Sequence, residues 1–453
     1  MKTLIVGNGL DSLITSYQLV KSGHDVMHWH SRKVAGHFSG YLSDHGIFDS
    51  GMVLLEQDDR NAKQSNLELF NSEFGKDARK FLKTVYLAVK RVFGDYSEHP
   101  VFTLTDKFIE VNDYFISDNL DLIRDYNIKD PLKSISESAK KLLHENNQNE
   151  DTFHPRLKSQ MNVELQPGLT QYLQDCYGEN AYKQLFGHFI RALTGQDDVS
   201  IPAKFHRKLW LPLYFPENLT EQGLSDLLKP TKFYTFQGES LATKIEKVKK
   251  YLRSQPNFVE INRDFDIDGI ENFNVDSTIC MFSTPDLLQF SNRPAVVNLA
   301  QKIDQEIYGI TSNPINIVHF CVNAQKRKTV FIQEPISGLF RYTFTDRGGN
   351  EQTVASFEFG TGSPVSMTDY KKVILNLIPG LEFQCGGSLQ ALRFGPKYLN
   401  MDQLEWNNFV ANVKSELFQK SVGIEIIHPD AVTFNDNCTR GFAISERIGV
   451  KSD

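Results

Sequence analysis

The sequence predicts an α/β protein in two parts, one opened by a strand, a glycine turn and a helix, the other mixed α+β and containing an antiparallel sheet. Three features carry that expectation. Thr3 to Val6 form an apolar run that meets Gly7-Asn8-Gly9; the helix-spaced residues Leu13 to Val20 then stop at Lys21-Ser22-Gly23 ahead of a second run, Asp25 to His30, which gives a βαβ opening. Ile315–Val322, Thr329–Gln333, Phe340–Thr345 and Thr353–Phe359 are short β-rich segments parted by turn residues such as Gly348-Gly349-Asn350. The 453 residues exceed what a single hydrophobic core organises, so two packed domains are expected.

Between those regions, helical spacing fills much of Asp58 to His144, with Ala78–Val92 and Ser134–Leu143 as examples, and returns from Gly168 to Leu193 after the polar loop Glu145–Glu150. A helix is expected over Gly238–Leu252, strands over Phe258–Ile261 and Ser277–Phe282, then a helix over Met401–Lys420 and a strand over Ile424–Ile427.

Composition narrows the partners. Apolar residues make up 40% and charged residues 23%, close to the averages of soluble globular proteins. A net charge of -7 argues against nucleic acid, which needs clustered Lys and Arg on one face. A small-molecule substrate is expected, anions included. The five cysteines, Cys176, Cys280, Cys321, Cys385 and Cys438, are scattered and never spaced C-x-x-C, so neither a disulfide framework nor a metal site is expected and a cytoplasmic location is. The run after Lys2 reads as a strand rather than a signal peptide, and no apolar stretch is long enough for a membrane span.

Leu4-Ile5-Val6-Gly7-Asn8-Gly9-Leu10-Asp11-Ser12 fits strand–G-x-G-x-x-[G/A/S]–helix. In that pattern the first glycine permits the tight turn, the second admits a pyrophosphate to the backbone, and a small third residue lets helix and strand pack closely. The free amides and positive end of the helix bind the anion. The second strand ends in His30, where an Asp or Glu ordinarily takes the ribose hydroxyls; a neutral imidazole accepts one such bond. Ser31-Arg32-Lys33 follow, and cations there suit a 2′-phosphate, which keeps NADP as an alternative.

Two further segments come in order: Val34-Ala35-Gly36-His37-Phe38, and then Ile47-Phe48-Asp49-Ser50-Gly51. Behind the fingerprint, they make the chain resemble the FAD-dependent superfamily of monoamine oxidases, protoporphyrinogen oxidase, phytoene desaturase and UDP-galactopyranose mutase, whose members continue the second strand with a G-G segment and a hydrophobic-D-x-G element. Phe233-Tyr234-Thr235-Phe236-Gln237-Gly238, the helix after it and the strand Phe258-Val259-Glu260-Ile261 are similar in order and length to that family's adenine-lining unit. The run through Ser283-Thr284-Pro285 looks like its T-x-P near the flavin.

The resemblance implies a Rossmann-like FAD-binding domain assembled from 1–57, 230–290 and 401–453, and a substrate domain from 58–229 and 291–400. It implies FAD contacts at Gly7, Asn8, Gly9, Leu10, Asp11, Ser12, His30, Ser31, Arg32, Gly36, His37, Phe38, Gly51, Val259, Thr284 and Pro285. Near the C-terminus it implies a helix start at Gly441-Phe442-Ala443 with Arg440 against a phosphate, although the acidic G-D pair that usually precedes it is missing. For substrate, Arg341 and Tyr342 on one strand and Arg393 further on are the candidates, since a guanidinium holds a carboxylate or phosphate bidentately.

The expected activity is that of an FAD-dependent oxidoreductase on a small organic molecule. A redox-neutral sugar mutase stays open through Arg341 and Arg393, and a non-catalytic descendant stays open through His30 and the missing G-D pair.

Overall fold

The computed structural model describes residues 1–30, 38, 40–43, 46–49, 55–56, 88–105, 107–112, 170–171, 174, 179, 182–183, 187, 190, 233–264, 267–282, 287–289, 291–309, 315–346, 353–360, 362–392, 397–399, 403–417, 422–426 and 434–448.

One layer is a five-stranded, wholly parallel sheet. Its strands are β1 (Lys2–Val6), β2 (Asp25–His30), β3 (Phe258–Asn262), β4 (Ser277–Phe282) and β5 (Val422–Ile426), in the spatial order 3-2-1-4-5. That is the doubly wound order, with its switch point between β1 and β4, where such sheets leave a crevice at their carboxyl ends. Leu4, Ile5 and Val6 are fully buried, as a central strand covered on both faces must be.

Helices cover both faces. On one lie α1 (Leu10–Lys21), α2 (Leu241–Arg253) and, from the end of the chain, a helix over Phe434–Arg447. Leu13, Ile14, Ile245, Val248, Phe434 and Phe442 close the core between them and the sheet. The opposite face packs Leu4, Val6 and Trp29 against α3 (Pro294–Gln305) and α4 (Gln403–Leu417) through Val296, Ile303, Trp406 and Phe409. Helix α3 thus packs on the parallel sheet, although the sequence placed everything from 291 to 400 with the other domain.

The last helix, α5, starts at Phe434, seven residues ahead of the expected start at Gly441. Gly441 is instead where α5 crosses α1. A Cβ there would lie 2.8 Å from the Asp11 carbonyl oxygen and 2.9 Å from Ile14 Cβ, so the missing side chain is what lets the two helices approach. At the other end of α1, Gly23 adopts φ +80°, and the chain turns back with His24 N–H donating to Leu19 O at 3.0 Å.

The second sheet has seven strands, in the spatial order 388–392, 315–322, 353–359, 339–346, 328–336, 101–104, 110–112. The four segments read from sequence are all present and pair antiparallel; the sheet is mixed because 101–104 runs parallel to 328–336. Alternation gives it two unlike faces. Val318, Phe320, Val330, Phe344 and Phe357 meet the helix Met367–Leu377 through Tyr370 and Ile374. The other face carries Thr329, Thr343, His319, Ser356, Arg341 and Glu358, all but Ser356 buried. His319 stacks on Phe48 with ring centroids 4.9 Å apart and planes 10° apart, which ties this face to the hairpin of 41–43 and 46–48.

Candidate functional site

The glycine turn between β1 and α1 is built for close approach. Gly7 N–H donates to Trp29 O at 3.0 Å, and a Cβ on Gly7 would lie 3.1 Å from Met281 O and 3.2 Å from Ser12 Cβ. The first glycine and the small third residue therefore face each other, the packing reason the motif demands both. Ser12 Oγ donates back to Gly9 O at 2.7 Å. Gly9 is the N-cap of α1 and is extended, with no side-chain cap among the described residues. Ser12 N–H is taken by Asp11 Oδ1 at 2.8 Å; the helix begins with its other first amides and positive end at the glycine turn.

A buried histidine holds this turn from beneath. His28 Nε2 lies 3.0 Å from Gly7 O and Nδ1 lies 3.2 Å from Ser16 Oγ. Burial pushes its pKa down to about 4, against the upward pull of the Gly7 bond, so the ring is neutral near pH 7. The network then assigns Nε2–H as donor to the carbonyl and Nδ1 as acceptor from the hydroxyl.

In front of the turn lies a cavity of about 180 Å³ between α1, α2 and the β2–β3 edge of the sheet. Gly7, Asn8 and Gly9 form one end, Leu10, Leu13, Ile245, Leu252 and Phe258 its apolar walls, and His28, His30, Lys249, Glu260 and Phe38 complete the lining. Lys249 Nζ is 2.7 Å from Glu246 Oε1. Such a cavity has an apolar slot for a base beside backbone amides for an anion.

The carboxylate that β2 lacks stands on the neighbouring strand. Glu260 of β3 receives His30 Nε2 on Oε1 at 2.8 Å. Arg253, the last residue of α2, grips the same carboxylate as a fork, Nε to Oε2 at 2.7 Å and Nη2 to Oε1 at 2.8 Å. The Arg253 fork, then the His30 bond, hold the Glu260 carboxyl down to about 2 against the upward push of partial burial. It is an anion under all ordinary conditions.

Of the residues expected from sequence, Gly7, Asn8, Gly9, Leu10, His30 and Phe38 line this cavity together. Ser31, Arg32, Gly36, His37, Gly51, Thr284, Pro285 and Arg393 lie outside the described residues. Four expectations are corrected. Asp11 and Arg440 turn to each other: Arg440 Nε donates to Asp11 Oδ2 at 2.5 Å, with the side chains 3% and 0% exposed. That guanidinium meets a carboxylate of the protein rather than a phosphate. Gly441, Phe442 and Ala443 are core of the α1–α5 contact. Val259 is 53% exposed, because strand alternation turns Phe258 and Glu260 inward and Val259 outward.

The fourth correction concerns Arg341 and Tyr342, which, as strand neighbours, point to opposite faces of the second sheet. The Arg341 guanidinium is buried in a bidentate pair with Glu358, Nε to Oε1 at 2.8 Å and Nη2 to Oε2, and lies over the Phe331 ring at 5.3 Å. Tyr342 donates its hydroxyl to Glu110 Oε1 at 3.0 Å, and burial pushes its pKa up, so it stays a donor.

Asp49, from the hydrophobic-D-x-G segment, caps α2. Its Oδ2 accepts from Leu241 N–H at 3.1 Å and its Oδ1 from Ala242 N–H at 2.8 Å, while Ser240 Oγ accepts from Thr243 N–H at 3.1 Å. Burial raises the Asp49 carboxyl to about 6, the two amide bonds opposing the rise. Sequence reading missed His28, Lys249 and Arg253 and gave Glu260 no role. The only available signal was Glu260 itself, a carboxylate two residues into a strand expected beside the cofactor.

No protein-family profile matches the chain, and no curated protein matches it in sequence. Solved structures do match in three dimensions. A putrescine oxidase bound to putrescine is 10% identical over 100% of both chains, with a TM-score of 0.56. A reduced UDP-galactopyranose mutase is 12% identical, covering 100% of this chain and 94% of its own, at 0.54. The chain has the fold of the amine-oxidase-like flavoproteins. Cyclohexylamine oxidase from Brevibacterium oxydans IH-35A, 11% identical over 99% of each chain at 0.52, shares it too. At such identities the amine-oxidase-like fold is held in common and little sequence is. Among the described residues no helix is long and apolar enough to cross a membrane.

Proposed function

We propose that this chain binds FAD and is a flavin-dependent oxidoreductase acting on a small organic molecule. The observation that carries the reading is the glycine N-cap of α1, which brings no side chain to the helix start and opens through Gly7, Asn8 and Gly9 onto a lined cavity. It lies at the carboxyl edge of a 3-2-1-4-5 sheet, where dinucleotides bind. The residues present fit the adenosine and diphosphate portion of that cofactor: backbone amides for the diphosphate, Leu10, Ile245 and Phe258 for the base, and an ionised carboxylate beside them.

Bound FAD would supply the two-electron chemistry. The chain's own part is to hold and orient. The α1 amides and helix dipole take the diphosphate charge, His28 fixes the carbonyl of the turn, and Asp49 anchors the start of α2 so that its residues Ile245, Lys249 and Leu252 keep the cavity's second wall in place. The sugar-mutase alternative loses one of the two cations it was built on, because Arg341 is committed to Glu358.

The test is the visible spectrum of the purified full-length protein. Flavin absorption bands, or their growth when FAD is added to colourless protein, are the expected result. A protein that stays colourless and takes up no FAD would overturn this reading and leave a non-catalytic descendant of the fold or an NADP-binding protein. Substrate oxidation coupled to an added acceptor then separates oxidoreductase from mutase.

A further inference from the structure

We infer that Glu260 is the ribose anchor of the nucleotide site, taking over from β3 the duty that the end of β2 performs in other dinucleotide-binding sheets. This rests on the adenine-nucleotide reading above and goes beyond it by naming the residue and the sugar hydroxyls it reads.

In a doubly wound sheet an Asp or Glu ending the second strand accepts the ribose hydroxyls. Here β2 ends in His30, and its ring points Nε2 at Glu260 Oε1, 2.8 Å away. β2 and β3 pair in parallel with His28 opposite Glu260 and His30 opposite Asn262. Glu260 therefore sits one strand over and diagonally across from the usual position, on the same face, and both Glu260 and His30 line the cavity that starts at the glycine turn. The carboxylate is only 23% exposed, so what reaches it comes through that cavity or its rim.

The hydrogen-bond inventory leaves room for a ligand. A carboxylate offers about four acceptor directions; Arg253 uses one on each oxygen and His30 uses another on Oε1. Oε2 keeps one. A neutral His30 ring that gives Nε2–H to Glu260 keeps Nδ1 as an acceptor. Two acceptors on one pocket wall suit the two hydroxyls of a ribose. The Arg253 fork fixes the plane of the carboxylate, so its geometry is set before the ligand arrives. The carboxylate's charge, offset in part by Arg253 and by Lys249 on the cavity's other wall, also works against a 2′-phosphate, which favours FAD or another nucleotide with a free 2′-hydroxyl over NADP.

The experiment is calorimetric titration of the full-length protein, freed of nucleotide, with ADP, 2′-deoxy-ADP and 2′-phospho-ADP. Wild type is expected to bind ADP about 10- to 100-fold more tightly than the deoxy form, the range for a hydrogen bond to a charged group, and to reject the 2′-phosphate. Glu260→Gln should bind ADP and 2′-deoxy-ADP alike and bind the 2′-phosphate better than wild type does. A folded Glu260→Gln variant that binds ADP with wild-type discrimination overturns the ribose anchor and leaves the nucleotide reading standing. Wild type that binds no adenine nucleotide overturns both. Should Glu260→Gln fail to fold, Arg253→Lys carries the test: it keeps the charge, loses the fork, and should lower discrimination between ADP and its deoxy form. Unchanged discrimination there also overturns the inference.

Discussion

Helices α1 and α2 lie side by side on one face of the parallel sheet, yet their first turns are finished in opposite ways. At α2 every early amide has a side-chain oxygen: Asp49 takes Leu241 and Ala242, and Ser240 takes Thr243. At α1 the N-cap is Gly9, which has no side chain to offer, and among the described residues only Ser12 N–H in the first turn meets a side-chain oxygen. Asp11, in the first turn of α1, accepts from Ser12 N–H on Oδ1 and from Arg440 on Oδ2 and does not line the cavity. The finished helix start is a joint, made by a residue from a distant hairpin. On the proposed reading the unfinished one is a binding surface, whose open amides a ligand's negative charge would complete.

The largest expected effect that probes this contrast comes from the ion pair steadying the open end. Arg440→Ala leaves Asp11 buried without its cation, and removal of one partner from such a pair costs about 3–5 kcal/mol. Urea unfolding should show a loss of that size; a loss below about 1 kcal/mol would mean that α5 does not fix the start of α1.

Next is pH. His28 and His319 are pushed down to about 4 and His99 to about 3, each chiefly by burial. Against an unfolded value of about 6.5, the contribution of each is whole above pH 6.5. It is lost as pH falls toward the folded value, because the unfolded chain takes the proton first. For His28 alone the loss is on the order of 3 kcal/mol across that window. Asp49, raised to about 6, runs the other way between pH 6 and its unfolded value near 3.8, one carboxyl against three imidazoles. The melting temperature should therefore drop between pH 6.5 and 4, and His28→Gln, which keeps a donor for Gly7 O, should flatten the drop. An equally steep profile in that variant would remove His28 from the account.

The smallest effect tests the finished joint. Asp49→Ala strips two caps from α2 and should lower stability by about 1–2 kcal/mol, the range for a lost N-terminal cap, read by the same urea unfolding. No change would mean that water caps α2 equally well and that the two helix starts differ less than their geometry says.

What sequence could tell follows the same division between local and distant. The β1–α1–β2 opening, the strands 258–262 and 277–282 and the four strands between 315 and 359 were legible because apolar periodicity and turn residues act within a few positions. The glycines of the turn were legible because the backbone there tolerates little else. Partners across strands were not. Arg341 looked available for a substrate because nothing near it in the chain opposes it, but strand pairing brings Glu358 against it. Arg440 meets a carboxylate 429 positions away. Glu260 reaches the site only because β3 inserts beside β2. The shortfall at the end of β2 was readable from His30, whereas its remedy needed the register of two strands 230 residues apart in the chain.

The crossing at Gly441 has a consequence for how the molecule comes into being. One wall of the cavity, α1, spans Leu10–Lys21, but the helix that wedges it in place, Phe434–Arg447, comes far later in the chain. Synthesis therefore makes α1 long before α5, and the glycine turn stands without that support until α5 has formed. On the reading proposed above, a nucleotide would be taken up only after α5 has formed, and a chain cut short before α5 leaves the apolar flank of α1 bare.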